Sequence, residues 1–127
     1  MSDQNKKALL VVAHGSRRAA SNDEIRDLAR RLAEDQNNRF GLVAPAFLEL
    51  ADPSIPDGIE ACIQQGMDEV VVFPYFLSAG RHVSEDIPAE VKIKQDEYPD
   101  KNIRIADYLG IAPGMTGMIF DHLSSNN

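Results

Sequence analysis

Two strand-like runs do most to limit what this chain can become: A-L-L-V-V-A at residues 8–13 and E-V-V-V-F-P-Y at 69–75. A strand with water on one face alternates apolar and polar side chains. The continuous apolar run at 8–13 suits a strand covered on both faces, as in a parallel sheet between helices, and 69–75, β-branched and aromatic, is the strongest strand signal. The segments around these runs read as helices. Ser21 and Glu24 have capping-box spacing. Ile25, Leu28, Ala29 and Leu32 follow as one apolar helical face, and Asn37-Asn38 stops it.

A second strand is expected at 41–49, with Val43, Phe47 and Leu48 apolar; Pro45 gives it an edge position or a bulge. Asp52-Pro53-Ser54 reads as a turn. Ser54 would cap a helix through Ile59, Cys62 and Ile63 that ends at Gly66. After the 69–75 strand, residues 76–82 read as a loop carrying His82. A third helix is expected to start within 84–88 and to end before Pro99, and a short strand occupies 103–106. Gly110 and Pro113 frame a turn. Met115, Met118, Ile119, His122 and Leu123 then repeat at helical spacing, with Met115 and Met118 expected in the core and His122 structural. Residues 1–7 and 124–127 are expected to fray. The order βαβαβαβα implies a single α/β domain over residues 1–127, built on a four-stranded parallel sheet with right-handed crossovers.

Composition narrows the function classes. The formal charge is -7 over 127 residues, which argues against nucleic acid or an anionic membrane as partner. No apolar run approaches the ~20 residues that span a bilayer. The first apolar run is too short for a signal-peptide core, so a cytoplasmic location is expected. Cys62 is the only cysteine, so it cannot form an internal disulfide or a thiolate cage, and its setting suggests a small buried hydrophobe. No G-x-G-x-x-G or G-x-x-x-x-G-K-[ST] occurs, so nothing supports a nucleotide.

Three side chains with metal-binding capacity fall at strand C-termini: His14 after the first strand, Glu49 closing the second and His82 after the third. A parallel sheet delivers all three to one rim, where such sheets bind ligands. Two imidazoles and a carboxylate suit a divalent first-row metal, and so few protein ligands leave positions open. Neutral imidazoles could also accept protons. Each residue alone has an ordinary reading, His14 and His82 as loop residues and Glu49 as a solvated strand end. Gly15 and Gly80 beside the histidines permit sharp turns or close approach to a ligand. Arg17, Arg18 and Arg81 flank the rim, and guanidinium groups there would pair with carboxylates of a polyanionic substrate; Arg18 could equally face water.

Taken together, L-V-V-A-H-G-S-R at 10–17, F-L-E at 47–49 followed by P-S-I at 53–55, and V-F-P-Y-F-L-S-A-G-R-H-V at 72–83 running into D-I-P at 86–88 resemble the short, CbiX-type sirohydrochlorin cobaltochelatases and their ferrochelatase relatives. The resemblance spans about residues 8–120. It implies a chelatase-like (flavodoxin-like) three-layer α/β sandwich and a class II chelatase that needs no ATP. It implies His14 and His82 as metal ligands and proton acceptors, with Glu49 as the third ligand. Arg17, Arg18, Gly80 and Arg81 would contact the substrate. That substrate would be sirohydrochlorin, a tetrapyrrole with eight carboxylates, and the metal substrate Co2+, Fe2+ or Ni2+. Short members pair as homodimers to rebuild a two-lobed cleft. A carrier on the same fold would keep these motifs without turnover. The H-G-S-R string superficially resembles that of histidine phosphatases, but Ala13 stands where their R-H-G arginine would.

Overall fold

The computed structural model describes residues 6–125. Strands β1 (Lys7–Ala13), β2 (Leu42–Phe47), β3 (Glu69–Pro74) and β4 (Asn102–Ile105) form one sheet in the order β2-β1-β3-β4. Every pairing is parallel. β1 is central, and Ala8, Leu10, Val11 and Val12 are fully buried, as its unbroken apolar run requires. β2 is an edge strand, which accommodates Pro45.

Helices α2 (Ile55–Gln64) and α3 (Ile87–Glu97) cover one face. There Ile55, Ile59, Cys62, Ile87 and Val91 close on Ala8, Leu10, Val12, Val70 and Val72. Cys62 lies within this core, and burial pushes its thiol up to about 11. Ser54 caps α2 as expected, accepting from the Asp57 N–H at 3.2 Å. Helix α1 (Ala19–Glu34) lies over β2 and β1 on the other face, with Ala29 buried and the Arg26 guanidinium 5.2 Å from the Phe47 ring centroid. These are the three layers of the expected sandwich.

Five local expectations change. α1 starts at Ala19 rather than Ser21 and has no side-chain cap, because Ser16 and Asn22 tie the preceding loop to the helix instead. β2 ends at Phe47, so Glu49 lies two residues beyond it. Helical structure begins at Gly80, so His82 opens a π-helical turn (His82–Asp86) leading into α3 rather than closing a loop. Helix α4 (Met115–Ser125) buries none of its side chains, so Met115 and Met118 are not core. α4 packs chiefly against the 3-10 turn Leu109–Ile111, and Met118, Ile119, Phe120 and Leu123 stand 44–70% exposed. Finally, Lys7 belongs to β1, and Ser124 and Ser125 to α4; the rest of the expected frayed ends, residues 1–5 and 126–127, lies outside the described residues, and Lys6 directly precedes β1.

A polar clasp joins α2 to the end of α3. The Glu60 carboxylate accepts from Lys94 Nζ at 2.9 Å, Gln64 Nε2 at 2.7 Å and the Tyr98 hydroxyl at 2.8 Å. These donors, Lys94 foremost, hold the Glu60 carboxyl at about 2, below its ordinary 4.5. A depressed carboxyl stabilises the fold fully above the unfolded value and loses that contribution as pH falls through the folded one. Urea midpoints should therefore drop between about pH 5 and pH 2, and less steeply in Glu60→Gln than in the wild type. Equal slopes would remove Glu60 from this role.

Candidate metal centre

The register aligns the C-terminal ends of three strands, pairing Ala13 with Phe47 and Val12 with Pro74. Pairing then continues past the strands on one side. Leu48 N–H donates to Ala13 O at 3.0 Å, and Glu49 N–H to His14 O at 3.0 Å. This close approach explains Gly15. Its φ is +95°, and a Cβ there would stand 1.7 Å from the Glu49 carbonyl oxygen. Only glycine fits both conditions.

The loop after His14 is clamped by Asn22, the one buried polar residue of the described chain. Its Oδ1 accepts from Ser16 N–H at 3.0 Å, and its Nδ2 donates to Ser16 O at 2.8 Å. Both backbone groups of Ser16 are thus satisfied inside the fold. Ser16 Oγ in turn accepts from Arg18 N–H at 3.0 Å.

His82 arrives from the other side of β1. Gly80 has φ +41° and open space around its Cβ position, so it is the turn and not a protein neighbour that favours glycine there. Ser84 Oγ donates to Gly80 O at 2.8 Å within the same turn. The β2-β1-β3-β4 order places β1 and β3 on either side of the topological switch point, where chain crossovers leave a crevice. His14 and His82 flank that crevice.

The two imidazole rings meet there, centroids 4.7 Å apart and planes 59° to one another. His14 Nε2 lies 3.0 Å from Glu49 Oε2, and His14 Nδ1 lies 3.0 Å from Gly15 O. Both partners are acceptors, so both contacts are hydrogen bonds when the ring carries both protons. A metal ion at Nε2 would take the place of one of them. His82 Nδ1 lies 2.9 Å from Asp86 Oδ2. All four side chains are partly exposed, from 42 to 54%. Beside them opens a cleft of about 300 Å3 lined by Leu48, Glu49, His82, Asp86, Ala89 and Glu90.

The structure thus brings together all three expected ligands, though with Glu49 bonded to His14. Among the described residues no three His, Cys, Asp or Glu side chains form a ready metal cage. Arg17, Arg18 and Arg81 are exposed, and none makes an ion pair among the described residues; Arg18 is the residue preceding α1. Sequence reading missed Asn22, and it held Asp86 only as part of the D-I-P motif, with no role of its own. The i, i+4 spacing of His82 and Asp86 carried the signal for the second, but only if that segment is known to be helical.

The CbiX family model matches residues 8–126. The chain belongs to the CbiX family. A putative cobalamin biosynthesis CbiX protein from Marinobacter aquaeolei shares the CbiX fold of this chain at TM-score 0.77 and 29% identity, over 94% of this chain and 96% of that one. The sirohydrochlorin chelatase SirB of Bacillus subtilis, solved in complex with cobalt, aligns at TM-score 0.76 and 28% identity, over 94% of this chain and 50% of SirB. The chloroplastic sirohydrochlorin ferrochelatase of Arabidopsis thaliana is 43% identical over 81 residues, 64% of this CbiX chain and 35% of the relative. This CbiX chain spans 35–63% of the length of the first curated relatives it matches.

Proposed function

We propose that this CbiX protein inserts a divalent metal, Co2+ or Fe2+, into sirohydrochlorin without ATP. The observation that carries the reading is the meeting of two imidazoles at 4.7 Å beside a carboxylate, at the switch point of a parallel sheet. Relatives named for cobalt and iron insertion into sirohydrochlorin support the substrate.

In this reading His14 and His82 offer Nε2 lone pairs to the metal, and Glu49 leaves His14 to become the third ligand. Three protein ligands leave coordination positions open for the pyrrole nitrogens, so the metal can pass on. Insertion displaces two N–H protons from the macrocycle. Each imidazole accepts one as it releases the metal. Arg17, Arg18 and Arg81, exposed and without ion-pair partners among the described residues, meet the substrate carboxylates. The Gly80 turn sets Arg81 and His82 against the same macrocycle.

Residues 1–127 act as one chelatase-like lobe. A homodimer supplies the second, and the uncovered apolar face of α4 is the surface that favours it. The protein works in the cytoplasm, without nucleic acid or membrane. No helix among the described residues is long and apolar enough to cross a bilayer.

The test mixes protein, sirohydrochlorin and Co2+ or Fe2+ and follows the absorbance change on metallation. Turnover well above the uncatalysed background is expected. Stoichiometric binding without turnover would favour a tetrapyrrole or metal carrier; neither binding nor turnover would end the proposal.

A further inference from the structure

We infer that Asp86 is a positioning residue that fixes His82 in the tautomer with Nδ1 protonated and Nε2 free. The inference rests on the metal-site reading of His82 and deepens it.

An Asp carboxylate at neutral pH only accepts hydrogen bonds. With Asp86 Oδ2 at 2.9 Å from His82 Nδ1, that nitrogen must be the donor. A neutral imidazole then carries its lone pair on Nε2. His14 differs, because its Nδ1 faces the Gly15 carbonyl oxygen and its Nε2 the Glu49 carboxylate, both acceptors, so its contacts do not select one neutral tautomer.

Among the described residues the Asp86 side chain makes no other hydrogen bond or ion pair. It stands immediately before α3, where an Asp could cap the helix, yet it makes no side-chain cap hydrogen bond. Its backbone is helical (φ -71°, ψ -44°), continuing the π-helical turn into α3. That turn sets the four-residue spacing that puts the carboxylate against the ring. At 42% side-chain exposure it contributes little to the core.

A carboxylate behind a ligating histidine orients the ring and raises its basicity, and losing one weakens metal affinity by about 10–100-fold. Asp86→Asn tests this sharply. Its amide can donate to Nδ1, which would move the ring proton to Nε2 and block the coordinating position. Asp86→Ala removes the bias altogether.

The experiment is long-range proton–nitrogen NMR of the His82 ring in the metal-free full chain, assigned with His82→Gln. The wild type should show Nδ1 protonated and Nε2 bare. Asp86→Asn and Asp86→Ala should shift the ring toward Nε2–H or a mixture. Co2+ titration should show about 10–100-fold weaker binding in both, with partial recovery in Asp86→Glu. A wild-type ring protonated at Nε2, or an unchanged tautomer in both variants, overturns the inference. Because the tautomer is read without metal or tetrapyrrole, its outcome is separate from that of the chelatase assay.

Discussion

Replacing Gly15 with alanine should destabilise the protein by on the order of 3–5 kcal/mol, among the larger effects a single substitution produces. Two independent costs combine. The backbone at φ +95° disfavours any side chain, and the new methyl would stand 1.7 Å from Glu49 O. That contact is with backbone, so no rotamer change relieves it. The loops carrying His14 and Glu49 would have to part, breaking the Glu49 N–H to His14 O bond. A thermal melt should fall by about 10 °C or more, and any protein that remains folded should bind Co2+ poorly. A melting temperature within about 2 °C of the wild type would mean that the two loops do not meet this closely. Gly66→Ala is a useful companion, since its φ of +94° carries the backbone strain but its Cβ meets nothing within 4 Å. It should cost only the smaller, conformational part, about 1–3 kcal/mol.

His14→Ala and His82→Ala should each reduce chelatase turnover by on the order of 100-fold or more, as expected when a ligand supplying transition-state geometry is lost. Neither ring belongs to the core, with side chains 43% and 46% exposed, so melting temperatures should change by only a few degrees. That separation of activity from stability distinguishes ligation from packing. Glu49→Gln should impair metal binding less severely if Glu49 joins after the histidines. Either histidine variant retaining turnover within about twofold of the wild type would strip that residue of its role.

Much of the framework was legible because burial on both faces leaves a strong mark. The runs at 8–13 and 69–75 became β1 and β3, and of the edge position or bulge that Pro45 suggested, the edge is what the sheet order shows. Strand ends then delivered His14, Glu49 and His82 to one rim without further information. What escaped was hydrogen bonding that overrides local preference. Ser21 and Glu24 have the spacing of a cap, yet Asn22 and Ser16 anchor the loop, and α1 starts two residues earlier. Residues 76–82 read as a loop, whereas the chain turns helical at Gly80 and brings Asp86 under His82. The last helix teaches a different lesson. Apolar spacing at Met115, Met118, Ile119 and Leu123 identifies a face, but periodicity carries no information about what covers it, and among the described residues nothing buries that face.

The short extension of pairing beyond β1 and β2 gives the site unequal mechanics. His14 and Glu49 are joined by adjoining backbone bonds, Leu48 N–H to Ala13 O and Glu49 N–H to His14 O, and cannot separate without breaking them. His82 belongs to a turn whose nearby bonds, Val83 N–H to Ala79 O and Ser84 Oγ to Gly80 O, are local to that turn. The span of the site is therefore a single distance, between a jaw fixed to the sheet and a jaw carried by the start of a helix. On the proposed metal reading, widening that one gap would detach an ion from His82 first and leave it on the His14–Glu49 side.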